Sequence, residues 1–594
     1  MGSTARFVPL TAALAGVVLA MTGVASAQAD QSPTFTVTVG AHGPWTNPDD
    51  TPAFPFIDRD GTFYYQQSQA NYGATATRAW DFYSGTNFDT ATRSSTSDAQ
   101  NPTNPQDSNA DTTWRCNNSP TGVESTYPPE GSRYSQRNYC DLVGVWVDPD
   151  NGDWIGLVHN EFTPQPFGDR LHFDAIDYAI STDQGKTWVI KDHVITSPYS
   201  TDRDDTAAFP EQTYDYGDGD PRLFVDTASG YFYVYYGSRI VDKASSWKAF
   251  YSHVARAPMS AKMSPGSWSK FYDGKWDQPG TGGKESNLVP VTADNPSGYT
   301  PTTKEYDPAT PGTTAAQVAA GKTPPTSPLF VMDITYNAYL GLYIGEPQGV
   351  DQSGNEPQEY YATDNLATQK WTRIGDTGDY HTASWYRWFL DPANKTSSAI
   401  VGKTFRAYCS YGCSDDRDSE YIDVSIDSSA PARPVETGRS YHISGRGLLL
   451  SQQVNGDATT SVRHDNGRST WTFESDDDGS YRIVNSATGQ LLGVDSSSTS
   501  SRSWETKPTT APEGSGGGAV GQQWFVIANT TPTNGSTTGT FRIVNRYSGL
   551  VLAMSNDSAR AVETTPARSW TDGHTRTRTP RTSADQTLQL TPVG

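Results

Sequence analysis

DPRLFVDTASGYFYVYYGSR, residues 220–239, is the stretch on which the fold turns. A β-prone run through Leu223, Phe224 and Val225 reaches Asp226. A Thr-Ala-Ser-Gly turn follows, and Tyr231 opens a second, aromatic-rich run. Turn residues between two such runs make a hairpin. The outline returns in PAFPFIDRDGTFYYQQSQ (52–69), DLVGVWVDPDNGDWIGLVHNEF (141–162) and PLFVMDITYNAYLGLYIGEP (328–347). A more diverged copy is SWYRWFLDPANKTSSAIVGKTFRAYCSYG (384–412). Five hairpin units in one chain imply radial repetition, so the expectation over 44–427 is a five-bladed β-propeller, with a β-sandwich as the alternative. Segments between the hairpins, such as FDAIDYAISTDQGKTWVI (173–190), supply outer strands.

Composition agrees with an all-β chain. Hydrophobic content is only 35%, yet aromatics reach 12%, with 32 Tyr and 16 Trp, which argues against disorder. Such residues fill sheet cores and also stack on sugar rings. The net charge of −22 over 594 residues opposes binding to nucleic acid. At the N-terminus, Arg6, an apolar run from Phe7 to Val24 and Ala25-Ser26-Ala27 read as a signal peptide over 1–27, followed by an extension over 28–43. The expectation is a secreted, extracellular monomer with no membrane span. Four cysteines in an exported chain suggest disulfides, most simply Cys116 with Cys140 and Cys409 with Cys413.

A second repeat follows a Pro-containing linker at 428–438. YHISGRGLLL (441–450), YRIVNSATGQLLGV (481–494) and FRIVNRYSGLVLAM (541–554) are three copies of one unit. Gln522-Gln523-Trp524 gives a Q-x-W signature, with weaker versions at Ser469-Thr470-Trp471 and Gln586-Thr587-Leu588. Over 439–594 the chain resembles the ricin-type lectin family, which implies a β-trefoil able to bind carbohydrate. Sugar sites of that family carry an Asp in an L-D-V position. Here those positions read Leu492-Gly493-Val494 and Leu552-Ala553-Met554, with Asp495 and Asp557 out of register.

In the propeller, Ser181 to Trp188 matches S-x-D-x-G-x-T-W, the Asp-box of sialidase-like propellers, where it closes a hairpin. Asp50, Asp141 and Asp220 each precede the Asp of a hairpin turn (Asp58, Asp148, Asp226) by six to eight residues. Equivalent positions on innermost strands converge on a propeller axis, and glycoside hydrolysis needs one protonated and one ionised carboxyl group. The D-P-x-L-F-x-D…G-x-x-Y-x-x-Y-G run at 220–237 resembles the blade motif of five-bladed propeller glycosidases, the arabinanase and fructosidase superfamily. The overall layout also resembles secreted endo-acting D-arabinan hydrolases. By that resemblance Asp50 takes the general-base position, and Asp220 sits where the blade motif carries its Asp. Asp141 is a third member without an assigned role. The acid falls first to Glu161, with Glu285 and Glu346 in reserve, because no E-G-P strand start is present.

His159, Arg222, Trp385, Tyr386 and Arg387 are the candidate sugar contacts. Asp148-Pro149-Asp150-Asn151-Gly152-Asp153 has oxygen-rich spacing but lacks a distal Glu, so it reads as a solvated turn. A calcium ion in the propeller channel is compatible with the sequence, and no cofactor is required. The expectation is therefore a secreted glycoside hydrolase on a polysaccharide of arabinan-like or other furanose or pyranose type. A non-catalytic lectin-like protein and a polysaccharide lyase, with His159, His172 and Arg222 near the bond, are the alternatives.

Overall fold

The computed structural model describes residues 32–594, except 70–75, 77, 129, 164–171, 202–205, 245, 415–418, 516–518 and 574–578. The leader read at 1–27 lies outside the described residues. Five sheets form the propeller and a twelve-stranded sheet forms the trefoil.

Each blade begins at an inner strand that ends in one of the turns read from the sequence. Blade I starts at Phe54–Ile57, blade II at Asn138–Val147, blade III at Gly219–Asp226, blade IV at Asp333–Asn337 and blade V at Trp388–Leu390. The turn acids stabilise the reversals directly. Asp226, for instance, accepts the N–H groups of Ala228 and Ser229 at 3.1 Å each. In blade II, Asp183 accepts from the Thr187 N–H at 2.9 Å and its hydroxyl at 2.7 Å, while the Trp188 indole donates to Gly185 O at 2.9 Å.

Blade V corrects one boundary. Its outermost strand is Phe35–Pro44, which runs antiparallel to Glu420–Ser428 with Phe35 opposite Ser428. Most of the segment set apart as an N-terminal extension is therefore a propeller strand, and it closes the ring by joining the two ends of the domain. Phe35, Val37 and Val39 alternate with exposed residues and pack on the blade core, a period-two pattern that the sequence reading passed over. The disulfides are Cys116–Cys140 and Cys409–Cys413.

In the trefoil, the repeat reappears as repeated contacts. Trp471 Nε1 donates to Leu450 O and Trp524 Nε1 donates to Leu492 O, both at 2.9 Å. These indoles share a core with Ile443, Ile483, Ile543 and Leu552.

The trefoil docks on all five inner-strand turns. Arg502 donates to Gly61 O at 3.2 Å in blade I, and Arg568 pairs with Asp150 at 2.9 Å in blade II. The Thr530 N–H donates to Ala228 O at 3.2 Å in blade III, and Gly479 presses on the Tyr339 backbone in blade IV. Arg546 grips Asp391 of blade V through two bonds of 2.8 and 2.9 Å. Asp150, read as part of a solvated turn, is instead held by Arg568, Lys262 and the Trp570 indole. Among the described residues no group of three or more His, Cys, Asp or Glu side chains could hold a metal ion. Arg546 and Asp391 are 4% and 0% exposed, so Arg546→Ala leaves a buried carboxylate without its cation. The expected loss is about 3–5 kcal/mol, read as a lower unfolding midpoint in denaturant. An unchanged midpoint would mean that the docked face contributes little.

Candidate functional site

The expected convergence is present. A pit on the axis, at the ends of the inner strands away from the trefoil, is lined by Asp50, Thr51, Asp141, Val143, His159, Glu161, Asp220, Arg222 and Tyr386. Three blades deliver Asp50, Asp141 and Asp220, and the second strand of blade II delivers His159 and Glu161. Asp220 and Tyr386 both hold left-handed backbone angles, φ +54° and +51°. Such angles are costly for residues with side chains and commonly mark functional positions. Gly219 is needed beside Asp220, because a Cβ there would lie 2.5 Å from His159 Cε1.

The four carboxyl groups are not electrostatically alike. Arg78 bridges two of them, at 2.6 Å to Asp141 Oδ2 and 2.9 Å to Glu161 Oε2. Arg239 pairs with Asp220. For Asp50, no cation lies within ion-pair distance among the described residues. Burial pushes Asp50 up to about 8; the Tyr386 hydrogen bond and Arg78 oppose this, and the charges of Glu161 and Asp141 reinforce it. Burial also raises Asp141, to about 6, with Arg78 pulling down. Asp141 Oδ1 is buried and has no hydrogen-bond partner among the described residues. Glu161 runs the other way. Burial opposes its charge, but Arg78, His172 and His159 hold it well below the usual carboxylate range.

His159 shows which proton it carries. Against the cost of burial, Glu161 and Asp174 draw the ring up to about 9. Yet His159 Nδ1 accepts the peptide N–H of Asp220 at 3.1 Å, which a doubly protonated imidazole cannot do. That bond fixes the neutral Nε2–H tautomer, which donates to Glu161 Oε1 at 3.2 Å. Arg222 donates to Gln348 Oε1 at 2.5 Å, and the same oxygen accepts the Tyr386 N–H at 2.8 Å.

Several expectations change. Glu161, first choice for the acid, is held ionised chiefly by Arg78. Asp50, placed as the base, is pushed up by burial to about 8, toward the protonated form that an acid needs. Trp385 and Arg387 do not line the pit: Trp385 packs with Phe250 and Phe330, and Arg387 donates to Thr382 O at 2.7 Å beside Glu346. Of the reserve acids, Glu346 is fully buried against Arg387, and Glu285 lines a different cavity. Sequence reasoning missed Arg78, Asp174 and Arg239. Arg239 ends the very stretch that decided the fold, but its partner became visible only when Asp220 was placed.

The pit itself is narrow, about 10 Å³, room for little more than a water molecule. A larger cavity of about 540 Å³ lies over blade III. In the trefoil, a hollow of about 210 Å³ is lined by Leu491, Gly493, Val494, Asp495 and Gln522, among others. Its polar groups are engaged locally: Gln522 donates to Pro512 O, and Asp495 accepts from Ser497, at 2.9 Å each.

Comparison with known proteins supports the trefoil most directly. A family described as ricin-type beta-trefoil lectin domain-like matches residues 467–570. No curated protein matches the chain. Similar solved structures include a GH43 β-1,3-galactosidase, 12% identical, covering 92% of this chain and 94% of its own, with a TM-score of 0.26. An exo-β-1,3-galactanase from Clostridium thermocellum is 15% identical, covering 76% of this chain and 95% of its own, with a TM-score of 0.20. A designed three-fold symmetric protein, ThreeFoil, is 19% identical over 26% of this chain and 99% of its own, with a TM-score of 0.20.

Proposed function

We propose that this protein is a glycoside hydrolase acting on an uncharged polysaccharide, with the acid in blade I and the assisting carboxylate in blade III. One observation carries the reading: of four carboxyl groups around the pit, three are tied to cations and Asp50 is not. A protonated Asp50 can give its proton to the glycosidic oxygen as the C1–O bond breaks. Asp220, ion-paired to Arg239, is then the group that takes a proton from the attacking water or bonds C1 itself. Asp141, Arg78 and Glu161 set the charge balance that keeps the two states apart. Arg222 and Tyr386, which line the pit, would meet sugar hydroxyls. The trefoil, rigidly docked on the opposite face, would hold polymer near the propeller if it binds sugar.

The narrowness of the pit favours a second reading, a non-catalytic saccharide binder. A lyase is poorly served, because His159 is engaged by Glu161 and Asp220, and His172 by Tyr134. Reducing-end release from arabinan, β-1,3-galactan and fructan separates the two readings. The hydrolase reading expects release from at least one polymer, abolished by Asp220→Asn. Retention of a polymer without release, or full activity in that variant, would leave the binder.

A further inference from the structure

The cavity of about 540 Å³ over blade III plays no part in the acid–base scheme. The strand Tyr231–Asp242 runs between the cavity and the pit. Successive residues of a strand face opposite ways. Ser238 therefore looks into the cavity while Arg239 turns to Asp220. Glu285 also lines the cavity and accepts from Lys270 at 2.6 Å, and Lys270 pairs with Asp218, two residues before Asp220.

The lining is a mixture of ring faces and carboxyl groups. Tyr199, Tyr251, Tyr272 and Tyr306 all border it, and three of their hydroxyls are already used: Tyr199 donates to Tyr306 O, Tyr251 to Pro324 O, and Tyr306 bonds the Thr213 hydroxyl. What these tyrosines offer a ligand is aromatic surface. Asp215, Glu285, Glu305 and Asp307 outnumber Lys284, the one lysine or arginine of the lining among the described residues, so an anionic ligand is disfavoured. Glu305 Oε1 is buried with no hydrogen-bond partner among the described residues. Burial pushes Asp215 and Glu305 up to about 7, so near neutral pH each can donate as well as accept. The volume lies within the range of about 300–1,000 Å³ usual for ligand sites.

We propose that this cavity is a saccharide subsite, taking further uncharged glycosyl units of the chain whose scissile bond lies at the pit. The inference rests on the hydrolase reading for which bond is cut, but the binding itself does not. Ring faces would stack on C–H-rich sugar faces, and the carboxyl groups would bridge neighbouring hydroxyls.

The test uses the full chain carrying Asp50→Asn, titrated calorimetrically with di- and hexasaccharides from arabinan, galactan and fructan and with a galacturonic acid hexamer. A neutral hexasaccharide is expected to bind about tenfold more tightly than its disaccharide. Adding Tyr272→Ala or Glu305→Ala, both at partly exposed positions, should erase that gain while the unfolding midpoint holds. The proposal is overturned if no neutral hexasaccharide binds, if the gain survives both variants, or if the galacturonic acid hexamer binds as tightly. A cavity-dependent gain in a protein that cuts nothing would sink the hydrolase reading alone. Cleavage with a gain indifferent to the cavity would sink only the subsite.

Discussion

Asp50→Asn is expected to lower kcat on a polysaccharide by about 10²–10⁴-fold, the usual contribution of a positioned general acid. A sugar alkoxide leaves poorly without a proton, whereas an aryloxide of low pKa leaves well. The same variant should therefore lose far less on an activated aryl glycoside than on the polymer. The two ratios, measured side by side, distinguish loss of an acid from general damage to the pit. Equal losses on both substrates would move Asp50 from acid to base. Asp50 has no ion-pair cation among the described residues and lies beside Glu161 and Asp141, whose charges disfavour a third negative group.

Arg78→Ala should be the most destabilising single change at the site. One guanidinium, 1% exposed, serves both Asp141 and Glu161, which are 3% and 9% exposed. Removing it leaves two like charges buried together, at an expected cost of about 3–5 kcal/mol in unfolding free energy. Arg78→Lys should recover only part of this, because one ammonium cannot reproduce the planar fork that spans two carboxylates. Adding Glu161→Gln to Arg78→Ala should restore stability relative to Arg78→Ala alone, since it deletes one of the stranded charges. If the double variant is no more stable than Arg78→Ala, charge is not what Arg78 supplies.

The hairpins were legible because their turns carry their own chemistry: Asp58, Asp148 and Asp226 announce reversals, and aromatic runs follow. The trefoil was legible for a similar reason, since Gln522-Gln523-Trp524 and three related strands recur within one domain. Asp50, Asp141 and Asp220 could be found as a set because each precedes a turn of the same kind. Their cations could not. Arg78 lies 63 and 83 residues from its two partners, just before the Ala79–Gly85 strand, where the local pattern gives no sign of them. Ring closure by Phe35–Pro44 was hidden likewise, because its partner strand lies at the far end of the domain. Aromatic and basic residues at 385–387 looked alike in sequence, yet only Tyr386 reaches the pit. Its left-handed backbone turns it away from the blade packing that absorbs Trp385 and Arg387.

The dependence of kcat/KM on pH in the unaltered protein bears most directly on the role given to Asp50. A general acid works only while protonated, so activity should fall as pH rises through about 8. In Asp50→Asn that alkaline limb should vanish from the residual rate. An alkaline limb unchanged in the variant, or activity that instead climbs as the pH passes 8, would contradict the assignment.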